Sequence, residues 1–433
     1  MNLKKRLTST VNNEVIRNMS TLSFGTILAQ IVPFLFSPFI ARLYTAEQYG
    51  EFAALIALVN VVGVVVNGRY DLCIVLPKNP TDAKRLVQGS WLIAILISIA
   101  SCFGVYFFMD LIQLHFSTLL ELSDLLIVGG VLLCVGFWQP LNYFFIREKW
   151  FKQIALNKVV QTSSNTIATL FFGYIALKNG LVIGFVFGWV FISIFSYYQA
   201  TKKSFSLEVF SLEKVTDQLK LHIEFPKYNA LPALLNSIAS QLGVYIFVFH
   251  YSAEVGGYYS FSKMYILVPL SIIGGSLAQV YFQRVANKFA NNITIFKELG
   301  LLTLTLSALG IAVLVFIHFF GDITFRVLFG EDWLSSAIYL KILMYYFVIQ
   351  FVVSPLNSVL IAIGKVKLAS VFPTLYVISM FSMFFIPELE LHEFLKIYTL
   401  AESIPYLISL FLIVYSVRKF ENKIKLNNPV GLK

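Results

Sequence analysis

The feature that most constrains this chain is a series of apolar stretches long enough to cross a membrane, separated by short polar segments. A helix needs about 20 apolar residues to span the hydrocarbon core of a bilayer. Hydrophobic residues make up 58% of the 433 residues and charged residues only 13%, which leaves too little polar surface for a soluble globule. The sequence therefore predicts an all-α integral membrane protein with about twelve transmembrane helices. The predicted spans are residues 22–40, 52–68, 86–109, 125–146, 154–177, 181–200, 230–251, 258–282, 299–320, 337–363, 369–386 and 394–417.

The basic residues of the loops support this assignment and orient it. Short cytoplasmic loops collect Lys and Arg, and with the N-terminus inside, all but six of the 33 basic residues fall on the cytoplasmic side. The six others are Arg42, Lys178, Lys263, Arg326, Lys341 and Lys396. We therefore expect both termini in the cytoplasm and interpret the net charge of +10 mainly as an orientation signal.

A short motif occurs twice, at positions half a chain apart. LYTAEQYG begins at Leu43 and HYSAEVGG at His250, and each copy lies in the outer turn between the first and second span of a six-span block. An even number of crossings gives both blocks the same orientation, which predicts two parallel six-helix bundles related by a pseudo-twofold axis along the membrane normal. The alternative is that a hairpin turn with Gly simply recurs.

Four segments follow from this division. The N-terminal bundle is residues 1–200, the C-terminal bundle is residues 229–417, and a basic cytoplasmic tail covers residues 418–433. Residues 201–228 link the bundles, and their apolar side chains recur at helical spacing. This pattern predicts an amphipathic helix at the cytoplasmic interface.

Several function classes are disfavoured by the residues that are present. The cations are scattered over many segments and form no basic face for nucleic acid. The sequence holds no phosphate-binding G-x-x-x-x-G-K-[ST] motif, and its five histidines are isolated from one another and from cysteine. We therefore predict no catalytic residues, no metal site and no cofactor, and we expect an ion or substrate gradient to supply the energy for transport.

Charged residues inside spans are costly and tend to mark a pathway. Lys263 lies about six residues, or ~9 Å of helix, below the outer end of the eighth span, and Lys341 lies nearer the outer end of the tenth. Each is a candidate for binding an anionic substrate, with snorkelling to the interface as the alternative. Glu402 lies within the twelfth span, where it either binds a coupling H⁺ or Na⁺ or neutralises a cation on a neighbouring helix.

Two arginines occupy corresponding places at the inner ends of the two blocks. Arg69 follows the second span and Arg284 follows the eighth. Guanidinium groups pair well with phosphate, so both are candidates for contact with an anionic headgroup. The alternative is that they only reflect the positive-inside bias.

Three segments resemble those of bacterial polysaccharide biosynthesis flippases of the O-antigen transporter type. They are GRYDLCIVLPKNPTDAK, YSAEVGGYYSFSKMYILVPLSIIGGSLAQVYFQR and FGEDWLSSAIYLKILMYYFVIQFVVSPLNSVLIAIGK, and the resemblance runs over about residues 18–417. It implies a place in the superfamily of multidrug extruders and the lipid II flippase, whose two six-helix bundles form a V around a central cavity. In that family a basic residue on the eighth helix faces the cavity, and Lys263 stands there where Arg is common, which keeps the charge but loses the bidentate fork. Arg69 also matches the family pattern.

The resemblance implies a substrate and a location as well. The substrate would be an oligosaccharide repeat unit of O-antigen, lipopolysaccharide or capsule on undecaprenyl pyrophosphate, moved from the cytoplasmic to the periplasmic leaflet of the bacterial inner membrane by alternating access. Partners would be the lipid-linked oligosaccharide, membrane lipids and the glycan polymerase of the same pathway. The alternatives are a cation-coupled multidrug exporter, or a membrane glycan polymerase or ligase.

Overall fold

A computed structural model describes residues 2–107, 122–177, 179–203, 205–206 and 209–427 of the chain. The predicted external Lys178 and the last residues of the predicted basic tail, 428–433, lie outside these ranges. Within them every regular element is helical. The main helices of the first half are α1 (Asn2–Leu43), α2 (Ala46–Gly63), α3 (Pro80–Phe107), α4 (Leu122–Arg147), α5 (Phe151–Tyr174), α6 (Gly180–Lys202) and the short α7 (Leu212–Leu221). The second half contains α8 (Leu231–His250), α9 (Ala253–Ala290), α10 (Phe296–Phe329), α11 (Leu334–Val353), α12 (Ser358–Ala362), α13 (Val366–Ala369), α14 (Val371–Ser382) and α15 (Leu391–Asn427).

The predicted spans coincide with helices. Each of the twelve segments has its counterpart among these elements, and nine helical segments of the described ranges are long and apolar enough to cross a membrane. The helices α2, α5 and α9 are not among the nine. Each of the three carries polar residues along its length, as in KQIALNKVVQTSSN of α5. The expectation of an all-α membrane protein is confirmed; the side of the membrane on which the termini lie stays a prediction.

The chain divides into two compact units, Met1–Val248 and Phe249–Lys433. In the first unit α1 packs on α5, α5 on α6, and α4 on α3 and α6. One apolar core surrounds Leu86 and Phe145, and another surrounds Val66 and Leu132. Close approach of α5 and α6 depends on a glycine: a Cβ added at Gly184 would lie 2.7 Å from the backbone nitrogen of Thr169.

The second unit is built around α11 and α15. The helix α11 packs on α10, α9 and α15, and α14 packs on α15. Its buried cores surround Leu360 with Ile413, and Leu306 with Phe351. The helix α11 has many fully buried side chains, among them Leu340 and Phe347, because helices cover it on several sides.

The segment between the predicted bundles contains the short helix α7. Its Val215 is buried, and its Leu219 packs directly over Gly89 of α3. Leu212 and Leu221, at its two ends, are exposed. The short helix α7 therefore lies within the predicted linker and packs on α3 of the first unit, whereas the predicted position of this linker at the cytoplasmic interface stays a prediction.

The repeated motif begins a helix in each unit. The Thr45 side chain caps α2 in a capping box with Gln48, and the Ser252 side chain accepts a hydrogen bond from the backbone N–H of Val255 at the start of α9. The preceding tyrosines add a long-range anchor in each case: Tyr44 donates to the carbonyl of Thr169 at 2.7 Å, and Tyr251 to that of Leu389 at 2.9 Å. A helix cap requires only the Thr or Ser, so the shared tyrosine anchors favour an internal repeat over a recurring turn.

Candidate functional site

Glu402 of α15 is almost fully buried, with 2% of its surface exposed. One of its carboxylate oxygens accepts a hydrogen bond from the hydroxyl of Tyr398 at 2.7 Å and another from the hydroxyl of Tyr376 of α14 at 3.3 Å. A buried carboxylate is strongly disfavoured unless hydrogen bonds and an opposite charge compensate for its lost hydration. The two tyrosines provide the hydrogen bonds.

The hydrogen bonds continue from Tyr398 to Tyr259 of α9. The two hydroxyl oxygens lie 2.7 Å apart, and the rings meet edge to face with centroids 5.5 Å apart. Both side chains are fully buried. The ring of Tyr346 of α11 also packs against Tyr398. Three helices of the second unit, α9, α14 and α15, therefore contribute hydroxyl groups to one buried polar path.

Lys263 provides the positive charge at the other end of this path. It lies one helical turn after Tyr259 on α9, and its Nζ is 5.5 Å from the centroid of the Tyr259 ring. Its ammonium group interacts electrostatically with both the Tyr259 hydroxyl and Glu402. Lys263 is half-buried, unlike Glu402. We call Lys263, Tyr259, Tyr398, Glu402 and Tyr376 the tyrosine network.

Two residues that the sequence singled out for different roles thus belong to one site. The sequence predicted that Lys263 binds the substrate and that Glu402 either binds a coupling ion or neutralises a cation on a neighbouring helix, and the tyrosines between them were missed. A sequence signal for them exists. Tyr259 precedes Lys263 by four residues and Tyr398 precedes Glu402 by four, the spacing at which side chains meet on one helix face.

The structure places the other two predicted cations of this unit in different surroundings. Lys341 of α11 donates to the carboxylate of Asp322 of α10 at 2.6 Å. Arg284, at the far end of α9, is exposed and makes a bidentate pair with Glu298, with N–O distances of 2.6 and 3.0 Å. Lys288 donates to the same carboxylate at 2.7 Å. Neither Lys341 nor Arg284 therefore joins the tyrosine network.

Arg69 belongs to the first unit and sits in a tight turn at the end of the second predicted span. Gly68 and Arg69 both have a positive φ, of 58° and 64°, a conformation that is unusual for arginine. Its guanidinium donates to the carbonyl of Val64 at 3.3 Å, and its buried Nε has no hydrogen-bond partner among the described residues. This arrangement holds the guanidinium close to the turn.

Asp71 is buried beside this arginine. Burial raises the pKa of its carboxyl from 3.8 to about 6, although the nearby Arg69 charge and hydrogen bonds from backbone N–H groups oppose that increase. Burial penalises the charged form of an acid, which explains the direction. Asp71 therefore titrates much closer to neutral pH than an ordinary aspartate, and the sequence offered no sign of this.

Within the described ranges, no group of three or more His, Cys, Asp or Glu side chains is arranged to hold a metal ion. The chemistry of the tyrosine network is of another kind. The lysine can bind an anion, the carboxylate can accept and release a proton, and the tyrosine hydroxyls can reorient their hydrogen bonds between the two.

Comparison with known proteins agrees with this architecture. A family model described as polysaccharide biosynthesis protein matches residues 39–338. The teichuronic acid biosynthesis protein TuaB of Bacillus subtilis (strain 168) is 23% identical over 291 residues. That match covers 64% of this chain and 58% of TuaB, so the chain spans less than two thirds of the length of this relative.

Solved structures show the same fold. The lipid II flippase MurJ in an inward closed conformation has a TM-score of 0.69 at 17% identity, covering 96% of this chain and 91% of MurJ. A multidrug resistance transporter of the MATE family in an inward-facing conformation has a TM-score of 0.63 at 13% identity, covering 94% of this chain and 99% of that one. A mutant of the Vibrio cholerae MATE transporter VcmN has a TM-score of 0.55 at 12% identity, with 95% of this chain and 98% of the transporter covered.

The fold shared with these structures and the apolar helices of the described residues both confirm the predicted fold class, a multi-pass helical membrane protein. The chain belongs to the polysaccharide biosynthesis protein family.

Proposed function

We propose that this protein is a flippase for oligosaccharide repeat units of the O-antigen or capsule type carried on undecaprenyl pyrophosphate. It would move them from the cytoplasmic to the periplasmic leaflet by alternating access. Membership of a polysaccharide biosynthesis family and a fold shared with a lipid II flippase support the lipid-linked substrate class. The glycan polymerase of the same pathway is a proposed partner.

The observation that carries the proposal is Lys263, a half-buried cation in the eighth predicted span, at the end of the tyrosine network. The charges of Arg284 and Lys341 are each hydrogen-bonded to an acidic side chain with an exposed fraction of 28% and 50% respectively. The ammonium group of Lys263 instead interacts electrostatically with the carboxylate of Glu402, which is fully buried and accepts hydrogen bonds from two tyrosines. We infer that Lys263 contacts the pyrophosphate, and that Arg69 contacts it at another stage of transport.

Glu402 provides a means of coupling within this proposal. Pyrophosphate and Glu402 compete for the positive charge of Lys263. When phosphate engages the lysine, Glu402 loses part of its compensation and takes up H⁺ or Na⁺. When the phosphate leaves, the cation is released and Glu402 again faces Lys263 through Tyr398 and Tyr259.

The test is a leaflet assay in cells depleted of the native protein and of any second flippase. Trapping of the lipid-linked repeat unit on the cytoplasmic face, relieved by re-expression, is the expected result. Lys263→Ala should fail to relieve the trapping at normal protein level. Lys396→Ala is the matched control, because this exposed lysine of the same unit pairs with Glu393 at 2.8 Å. Export of the repeat unit by cells lacking the protein would refute the flippase function, and export by the Lys263→Ala variant would refute the role of Lys263.

A cation-coupled multidrug exporter is the second candidate. The buried Glu402 and the MATE-like fold favour it, because an intramembrane carboxylate suits binding of a cation. Dye efflux that depends on Glu402, in cells whose lipid-linked glycan is exported normally without this protein, would establish this function in place of the first.

A further inference from the structure

One hydroxyl beside the tyrosine network is not used by the proposed coupling step. Tyr346 of α11 is only 1% exposed, and its hydroxyl has no hydrogen-bond partner among the described residues. The hydroxyl interacts electrostatically with Glu402, Tyr259 and Tyr376, so it faces the network. A buried polar group without a partner is costly and needs an explanation. A partner that arrives with the coupling ion is such an explanation.

The carboxylate of Glu402 has a matching oxygen. Both of its hydrogen bonds, from Tyr398 and from Tyr376, end on Oε1, and Oε2 accepts none from the described residues. A protonated carboxyl group has one O–H donor, and in a buried site that donor needs an acceptor. The Tyr346 hydroxyl has lone pairs and no partner, so it can accept this bond directly or through a buried water molecule.

A sodium ion would instead need several oxygen ligands, as other hard cations do. In transporters, backbone carbonyls of interrupted helices commonly provide them. Pro405 interrupts α15, because it has no N–H for the carbonyl of Ala401 four residues earlier. Ser379 of α14 donates to that carbonyl at 2.7 Å. The carbonyl that would be the most available ligand for sodium is therefore already hydrogen-bonded.

The hydroxyls of α15 around Glu402 are engaged in the same way. Thr399 donates to the carbonyl of Leu395 at 2.8 Å, and Ser403 donates to that of Thr399 at 2.6 Å. The titratable groups that face Glu402 come from α9, α11, α14 and α15, and they are Lys263, Tyr259, Tyr346, Tyr376, Tyr398 and Tyr406. None of these groups is a second carboxylate, so they provide little for a metal cation but several hydroxyls for a proton.

We propose that the coupling ion at Glu402 is a proton and not sodium, and that the Tyr346 hydroxyl accepts the hydrogen bond of the protonated carboxyl group. The proton comes from water, bonds to Oε2 and returns to water when phosphate leaves Lys263; no other covalent bond forms or breaks. In the ionised state Oε1 has its two tyrosine donors, and in the neutral state the O–H on Oε2 binds Tyr346. This step rests on the proposed flippase function, whereas proton binding itself can be measured without substrate.

The test follows the infrared band of protonated carboxyl groups in the full-length protein in detergent, without substrate, from acidic to alkaline pH. Comparison with Glu402→Gln identifies the part of the band that belongs to Glu402. This part should appear as the pH falls, and it should be the same in sodium and in potassium salt. The proposal is wrong if sodium removes it at constant pH, or if the native protein and Glu402→Gln give the same band at every pH.

Tyr346→Phe and Tyr376→Phe form a matched pair, since each removes one hydroxyl near Glu402 and leaves the ring. Tyr346→Phe removes the acceptor of the neutral carboxyl group, so proton binding should weaken by up to about tenfold, the value of one hydrogen bond. Tyr376→Phe removes a donor to the ionised carboxylate, so proton binding should become tighter. If Tyr346→Phe does not weaken proton binding, or if Tyr376→Phe weakens it equally, the role of Tyr346 is refuted.

The leaflet assay on the same proteins separates this proposal from the flippase function. A native protein that flips the repeat unit but binds no proton at Glu402 would refute proton coupling and leave the flippase function intact. A native protein that binds the proton but does not flip the repeat unit would refute the flippase function alone.

Discussion

The tyrosine network predicts that neutralising Glu402 will rescue a protein that has lost Lys263. Lys263→Met removes the positive charge and leaves a carboxylate that is only 2% exposed and has only hydrogen bonds to support it. Removing one partner of a buried charge pair costs roughly 3–5 kcal/mol, and the half-buried position of Lys263 points to the lower end of this range. We expect a loss of about 3 kcal/mol.

Glu402→Gln should cost less by itself. The amide oxygen still accepts from Tyr398, so the loss is mainly the difference between a charged and a neutral hydrogen bond, about 1 kcal/mol. In the double variant no buried charge remains. Its stability should therefore exceed that of Lys263→Met, with an interaction energy of about 2 kcal/mol between the two sites.

The assay is the free energy of unfolding in mixed detergent micelles for the native protein, both single variants and the double variant. If the losses of unfolding free energy in the two single variants add up to the loss in the double variant, the two charges do not compensate each other and this prediction is wrong. The same four proteins in the leaflet assay separate structure from transport. If Glu402→Gln alone still flips, a stable double variant that does not flip supports phosphate binding by Lys263, whereas restored flipping by the double variant would reduce Lys263 to a counter-ion.

Three further predictions concern residues outside that pair. Arg284→Gln should leave glycan export unchanged in the leaflet assay, because this exposed arginine is paired with Glu298; lost export at normal protein level would contradict this. Asp71 has a raised pKa of about 6, so its contribution to stability is present at low pH and is lost as the pH rises through 6. Asp71→Asn should accordingly increase the free energy of unfolding at pH 8, by up to about 3 kcal/mol, and change it little at pH 4; an equal change at both would refute the assignment. Gly184→Ala should destabilise the first unit by about 1–3 kcal/mol, because its Cβ would meet the backbone of Thr169. Gly104→Ala should not, because its Cβ would meet no atom of the described residues within 4 Å.

Much of the fold could be predicted from the sequence alone. Stretches of about 20 apolar residues can only be helices in a bilayer, since each backbone polar group must be satisfied within its own segment. The twelve predicted segments accordingly coincide with helices. The motif at Tyr44 and Tyr251 was also readable, although the carbonyls of Thr169 and Leu389 that the two tyrosines bind were not.

Of the residues in the tyrosine network, only the charged ones could be predicted from the sequence. An ionised residue in a span is conspicuous because it is costly there, and this identified Lys263, Lys341 and Glu402. The sequence cannot tell which of these charges meet, because that depends on how helices far apart in the chain pack together. Packing of α9 and α14 against α15 joined Lys263 to Glu402 through tyrosines that composition treats as ordinary membrane aromatics.

The two arginines at the inner ends of the predicted blocks show the same difference between what the sequence and the tertiary structure determine. Sequence determined that Arg284 and Arg69 follow corresponding spans. Tertiary structure decided that Arg284 is neutralised by Glu298 at the surface, while Arg69 lies in a strained turn beside a buried Asp71. Hydrophobicity and loop charge act locally along the chain and can be read from it, whereas the partner of a charge is set by helix packing, which only the folded chain defines.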